Sequence, residues 1–378
     1  MPKQLLNQPF SPLQRIAGDT SHDMRQSRRS FLAAVALLPL LPLYAKANGH
    51  PKTVNFLGCK SGVDAETLRK FRHRAELDVR ADSYSDDVQF IAKFLGGEPR
   101  YDVAMAPDDS ISHLLQTELL GPLDRSLLPN AGLLDPAIPV SPDDPERNYS
   151  LPYFWGTLGI GYRKAAFREP PESWGVLLES GKHANRIALL SDRMSTLQIA
   201  QKYLGHSINT HTAEIIDEAT QLLMKQKPRI KRFTSKPVRA LLSGEADLVM
   251  LWSDDFYEQL RKSDDFGFTT PVEGTIVRQK MLCIPKHAAD PVAAHRFINF
   301  LLDKNISAAL ARKFHHATAN RAAAELLGES YRNHPALSPP STVLKRSECR
   351  HFIHDAGQNR LYLAAWKKIM EQQQAVEK

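Results

Sequence analysis

Tyr149-Ser150-Leu151-Pro152-Tyr153-Phe154-Trp155-Gly156-Thr157-Leu158-Gly159-Ile160-Gly161-Tyr162 is the stretch around which the rest of the chain is organised. Its proline can neither donate to a sheet ladder nor sit inside a helix. An aromatic triplet follows, then an apolar run with glycines at 156, 159 and 161, where side chains would obstruct a close approach. Two readings fit these residues. One is extended backbone crossing between two bodies, with an aromatic wall facing a ligand. The other is a buried core strand that happens to carry a Trp.

The chain has 378 residues, too many for one ordinary core and suited to two domains. Its 42% apolar and 24% charged content is that of a globular protein in water. The net charge of +7 is unevenly placed. Residues 1–47 carry Lys3, Arg15, Arg25, Arg28, Arg29 and Lys46 against Asp19 and Asp23, which leaves only +3 for the remainder. That is too little to argue for a nucleic-acid partner. Within the same segment, Ser27-Arg28-Arg29-Ser30-Phe31-Leu32 precedes an apolar run over residues 33–44 and then Ala45-Lys46-Ala47. Paired arginines, a short apolar segment and a small-x-small site resemble a twin-arginine export signal. The run falls short of the roughly 20 residues of a membrane span. Cleavage after Ala47 and a periplasmic mature protein are expected, with an uncleaved amphipathic anchor as the alternative. Phe56-Leu57-Gly58-Cys59 imitates a lipoprotein box, but His50, Pro51 and Lys52 stand where an apolar segment would be required.

Beyond residue 52, strand and helix signals alternate. Strands are expected at Thr53–Gly58, Leu77–Ala81 and Tyr101–Ala106, and helices follow Asp64, Asp86 and Pro107-Asp108. This spacing implies βαβ units and a parallel sheet, whose ligands bind beyond the carboxyl ends of the strands. Residues 121–148 read as loop. Arg186–Leu190 is a strand ending in Ser191-Asp192-Arg193, and Ala246–Trp252 is an apolar strand running into Ser253-Asp254-Asp255. Two carboxylates beside a Trp at the end of a buried strand are unusual for a purely structural turn. Met281–Pro285 reads as a late strand, residues 331–350 as a Pro-rich passage, and Tyr362–Ala375 as a closing amphipathic helix.

Catalytic and nucleotide signatures (GxGxxG after a strand, a P-loop, GxSxG, HExxH) are absent from the sequence. His351 and His354 have the i, i+3 spacing of metal ligands, but Arg350 and a basic neighbourhood oppose a cation there. No cofactor, no metal and no enzymatic activity are expected. Three cysteines, Cys59, Cys283 and Cys349, allow at most one disulfide, and spacing does not choose the pair.

Several segments together resemble the periplasmic solute-binding proteins of ABC importers, in the spermidine/putrescine-binding branch. Tyr149 through Gly156 resembles that family's Tyr-Ser-(Ile/Val)-Pro-Tyr-x-Trp-Gly signature. Gly244-Glu245-Ala246-Asp247-Leu248 through Trp252 resembles its segment entering a second hinge. Glu273-Gly274, Ile284-Pro285, Phe297-Ile298-Asn299-Phe300-Leu301-Leu302 and Thr318 through Ala323 follow in the family's order. The resemblance implies a type II two-lobed α/β fold whose crossover strands act as hinges, closing on a small ligand. One lobe would take residues 48–156 and 254–300, the other 157–253 and 301–378. A monomer working with an inner-membrane permease and ATPase is implied.

Such proteins stack a polycation's methylenes on aromatic rings and pair its ammonium groups with carboxylates. Here the resemblance carries over Asp192, and Trp252 with Asp254 or Asp255. Elsewhere the pattern departs. The first loop reads Gly58-Cys59-Lys60-Ser61-Gly62 where aromatics are expected, and Pro107-Asp108-Asp109 replaces a Ser/Tyr pair. Ser195 stands in place of a Glu, and Arg278 and Lys280 in place of an aromatic and an Asp. A lysine in place of a carboxylate repels an ammonium about 4 Å away by about 4 kcal/mol at an effective dielectric of about 20. One expectation is therefore a ligand with a cationic end at Asp192 and Asp254 or Asp255, and an anionic or polar end near Lys60, Arg278 or Lys280. The other is that these bases point outward or pair with Asp108 and Asp109, leaving a polyamine site intact. A signalling receptor of the same fold and a periplasmic enzyme complete the alternatives.

Overall fold

The computed structural model of the chain describes residues 52–96, 100–351, 353 and 355–371. The export signal expected in residues 1–47 lies outside them, as does His354. The first half of the chain alternates strand with helix: β1 (Thr53–Cys59), α1 (Ala65–Ala75), β2 (Asp78–Tyr84), α2 (Asp87–Leu95), β3 (Val103–Pro107) and α3 (Asp108–Gln116). Asp64 and Asp86 cap α1 and α2, each accepting a backbone N–H three residues on, which satisfies a donor the helix leaves free. The short β4 (Leu120–Gly121) and an irregular passage lead into β5 (Ser150–Arg163). Then come α4 (Gly175–Leu178), β6 (Ile187–Leu190), α5 (Arg193–Tyr203), α6 (Ala213–Gln226), β7 (Ile230–Thr234), α7 (Pro237–Leu242) and β8 (Leu248–Trp252). They are followed by α8 (Ser253–Leu260), β9 (Phe266–Thr269) and β10 (Ile276–Pro285). The last stretch is mainly helical: α9 (Pro291–Leu301), α10 (Lys304–Phe314), β11 (Ala317–Thr318), α11 (Arg321–Leu327), α12 (Glu329–Arg332), α13 (Ser341–Leu344), β12 (Glu348–Cys349) and α14 (Ala356–Glu371).

Eight strands run in the order β2-β1-β3-β10-β5-β8-β6-β7, with β4, β9, β11 and β12 joined at their sides. β1 is parallel to β2 and β3, and β6 is parallel to β7 and β8, as the alternating pattern implies. β10 and β5 enter antiparallel between these two groups. Both faces of each group are covered, which explains their near-continuous apolar runs. Phe56, Val103, Met105 and Leu282 enter one core, while Leu57, Ala104, Ala106 and Cys283 enter another on the opposite face. In the second group, Ile187, Leu189, Leu248 and Met250 face one core, and Ala188, Val249 and Leu251 face its counterpart.

β5 joins the two bodies and settles the double reading of residues 149–162. Its first half, to Thr157, pairs with β10 and sends Leu151, Tyr153, Phe154 and Trp155 into the first body. Its second half pairs with β8 and β9 and sends Leu158, Ile160 and Tyr162 into the second. The strand is thus a crossing and a buried core strand at once. Pro152 is accommodated at a register shift opposite Met281, where the ladder is already interrupted. Gly159 is needed because a Cβ there would stand 2.3 Å from the Phe268 ring and 2.6 Å from the Thr269 carbonyl.

The packing divides the chain elsewhere than expected at residues 254 and 301. Phe256 and Leu260, one helical turn apart on α8, fold back with Phe266 and Phe268 onto Val249 and Leu251, so residues 254–269 stay with the second body. The return passage is at Ile276 and Val277 of β10, which sit in different cores. Leu301, Leu302, Ile306, Leu310, Tyr331, Leu337 and Cys349 pack with the first body, not the second. Ile353 and α14, through Tyr362, Ala365 and Ile369, cover the second, and Ala336 joins its counterpart core. The three cysteines are all free.

Candidate functional site

A cleft of about 400 Å³ opens where β5 and β10 pass between the bodies. It is bordered by the carboxyl ends of β1, β2, β3 and β8 and by the starts of α2, α3, α5 and α8, where parallel sheets place their ligand sites. Six lining carboxylates, Asp86, Asp87, Asp108, Asp109, Asp192 and Asp254, face three basic groups, Arg278, Lys280 and Arg350. The acids also answer to local helix physics, since carboxylates favour helix N-termini. Asp86 and Asp192 already serve as caps, Asp192 accepting the Ser195 N–H at 3.1 Å.

Each of these three cations has found an acid. Nη2 of Arg278 donates to both carboxylate oxygens of Asp254, at 2.6 and 2.5 Å, and lies 3.9 Å from Asp255. The same guanidinium sits 4.3 Å from the centre of the Trp252 indole. Burial pushes the Asp254 carboxyl up, but the Arg278 charge and hydrogen bonds outweigh it and leave Asp254 below the usual carboxylate range. Asp255 is pushed up to about 6 by burial and by the Asp254 charge. Gly156 makes room for this pair, because a Cβ there would stand 3.2 Å from Asp254 Oδ1. Lys280 lies 3.7 Å from Asp87 and 5.5 Å from the Tyr84 ring centre.

Across the cleft, Arg350 Nη1 donates to Asp109 at 3.0 Å, its Nη2 to Ser195 Oγ at 3.0 Å, and its Nε to Gln198 Oε1 at 2.9 Å. Asp108 is 8% exposed, and its oxygens accept the backbone N–H groups of Gln279 at 2.9 Å and Asp109 at 3.1 Å. Burial, then the Asp109 charge, push its carboxyl up to about 7. His316 lies over Phe154, with ring centres 4.6 Å apart and Nε2 3.2 Å from the Ser61 carbonyl. Burial holds it below the usual imidazole range.

Residues 70–339 match the family described as bacterial extracellular solute-binding protein. The chain belongs to that family. Among curated relatives, this solute-binding protein is 28% identical over 338 residues to the spermidine/putrescine-binding periplasmic protein of Salmonella typhimurium, covering 88% of this chain and 96% of the relative. It is 28% identical over 304 residues to the putrescine-binding periplasmic protein SpuD of Pseudomonas aeruginosa, covering 75% and 83%. Its fold matches the spermidine/putrescine ABC transporter substrate-binding protein of Streptococcus pneumoniae with a TM-score of 0.79 and 24% identity, over 85% of this chain and 99% of that one. The fold is the two-lobed type II binding-protein fold with crossover strands.

The cleft of this solute-binding protein brings together Asp109, Asp192, Ser195, Trp252, Asp254, Arg278 and Lys280. It does not bring in Lys60, which is exposed beside the rim residues Cys59 and Ser61. Asp255 stands behind Asp254 and does not line the cleft. Sequence reading missed Tyr84, Asp86 and Asp87 as site residues, and also Arg350. It lies 241 positions from Asp109 and 155 from Ser195, in a segment with no motif, and only the fold joins them. Of the i, i+3 histidine pair, His351 has Nδ1 2.5 Å from Asp143 Oδ1, and His354 lies outside the described residues. Among the described residues no group of three metal-binding side chains converges.

Proposed function

We propose that this chain is the periplasmic capture component of an ABC importer, taking a short flexible amine of the polyamine kind (putrescine, spermidine or a related amine) between its lobes. The observation that carries this reading is the acid-rich cleft at the crossing of β5 and β10, whose lining includes Trp155 and Trp252. Carboxylates there neutralise ammonium groups, and indole faces take methylenes and cations. The printed functions of the 28% identical relatives support the same class of ligand.

In this reading the lobes divide at Gly156–Thr157, at Ile276–Val277 and between Cys349 and Ile353. Closure presents a combined surface to an inner-membrane permease, which an ATPase drives. The protein works as a monomer, carries no cofactor and performs no chemistry on its ligand. The paired Arg28-Arg29 and the site after Ala47 route it to the periplasm by twin-arginine export. N-terminal sequencing of the exported protein is expected to begin at Asn48, and changing both arginines to lysine to abolish export.

A thermal-shift screen of putrescine, spermidine and related amines tests the capture role. A ligand at 100 times its dissociation constant stabilises the bound form by about 2.7 kcal/mol, a readily measured rise in Tm. Absence of a shift with every amine, at millimolar concentration and confirmed by calorimetry, defeats the reading.

A further inference from the structure

β10 places Arg278 and Lys280 two residues apart on one side of the strand, about 7 Å from each other along the backbone. Each reaches an aromatic ring with a carboxylate beside it. Arg278 lies over Trp252 at 4.3 Å and holds both oxygens of Asp254. Lys280 lies 5.5 Å from the Tyr84 ring centre and 3.7 Å from Asp87. An aromatic face flanked by a carboxylate is the arrangement that holds an alkylammonium group. The cleft therefore owns two such corners. One is built by β2 and α2 on the first body, the other by β8 and α8 on the second. The chain's own cations fill both.

We propose that Arg278 and Lys280 are internal occupants of the two ammonium corners, so that the ligand carries a single ammonium group and a carboxylate. The carboxylate lies against β10 between the two bases. The ammonium faces Asp108 and Asp192, which line the cleft and form no ion pair among the described residues. This assignment rests on the amine-capture reading and narrows it. A diamine would have to displace both bases from their carboxylates and then share the cleft with them, like charge against like. A carboxylate instead adds a partner to cations already in place. Lys280, at 3.7 Å from Asp87 and outside hydrogen-bond range, is the one freer to turn toward it.

Calorimetry of the exported protein with three probes of one length tests the assignment: putrescine, 4-aminobutyrate and butylamine. The expected order is 4-aminobutyrate at least tenfold tighter than putrescine, with butylamine weaker than 4-aminobutyrate. R278Q and K280Q are each expected to narrow the gap, the double variant to reverse it toward putrescine, and R278K to retain it. Circular dichroism melting establishes that the variants are folded. If they are not, the wild-type order alone decides. Putrescine or butylamine binding the wild type as tightly as 4-aminobutyrate overturns the assignment and leaves amine capture standing. An unchanged preference in folded R278Q/K280Q overturns the internal-occupant role. Failure of all three probes and of spermidine overturns amine capture as well.

Discussion

The guanidinium of Arg350 lies 3.0 Å from Asp109 on the first body while its other nitrogens hold Ser195 and Gln198 on the second. One side chain thus ties α3 to α5 across the mouth of the cleft, at a position where the chain itself makes its last passage between bodies. Without a ligand this contact favours the closed arrangement. R350A is expected to weaken closure by about 1–2 kcal/mol, which shifts the open-to-closed ratio roughly 5–30-fold. Small-angle scattering of the ligand-free variant should give a larger radius of gyration than wild type. An unchanged radius removes the latch role.

Asp108 gives the fold a pH dependence of definite sign. Its carboxyl titrates near 3.8 when unfolded and about 7 when folded, so the folded chain holds the proton across that interval. Stability then falls as pH rises from about 4 to 7 and stays low above it. Facing it are Asp109, which adds to the penalty, and Lys280 and Arg350, which reduce it. D108N removes the ionisation and is expected to gain on wild type by on the order of 2–4 kcal/mol between pH 4 and 8. Urea midpoints measured at four pH values check this, and a constant gap contradicts it.

Asp64 behaves in the opposite way. Burial alone would raise its carboxyl, but the hydrogen bonds from Lys313 and Thr67 prevail and bring it down to about 2. Its contribution is complete above about pH 4 and disappears as pH falls through 2. D64N keeps the cap of α1 but loses the ion pair with Lys313, a half-exposed partner whose charge water screens. A loss of about 1 kcal/mol at pH 7 is expected, smaller near pH 2.5 and vanishing below pH 2. Chemical denaturation at both pH values measures it.

Much of this is legible in the sequence. Asp64 and Asp86 announce their helices because a short acidic side chain before a periodic segment has one obvious task. The glycines and aromatics of residues 149–162 fit a crossing and a buried core strand alike, and it is the family resemblance that points to the crossing. The return crossing was not legible. β10 begins at Ile276, five residues before the apolar run that marked it, because Arg278, Gln279 and Lys280 line a cleft and so break the hydrophobic pattern. The fold-back of α8 also escaped, since a strand ending at Trp252 looks the same whether the next helix stays or leaves. Arg350 sits in a Pro-rich passage whose partners are set by topology alone.

Two glycines of β5, Gly159 and Gly156, separate stability from binding. G159A drives a methyl into the Phe268 ring and the Thr269 carbonyl, at a cost of about 1–3 kcal/mol. G156A meets Ser253 Oγ at 3.1 Å and Asp254 Oδ1 at 3.2 Å, atoms that yield by a few tenths of an ångström. It is expected to leave the melting temperature within a few degrees of wild type while changing ligand affinity several-fold, through Asp254 and the Arg278 attached to it. Melting and calorimetry on both variants distinguish the two effects. Equal losses in stability contradict the distinction.

β10 lies between β3 and β5 in the sheet and hydrogen-bonds to both. A nascent chain that ends before residue 276 therefore leaves two bare strand edges, one on β3 and one on the first half of β5, each ready to pair with another molecule. Synthesis can finish the second body's sheet first, since β5, β6, β7, β8 and β9 all precede that point. The first body must wait for a strand made more than a hundred residues after β5, and truncated or stalled chains will be the aggregating ones.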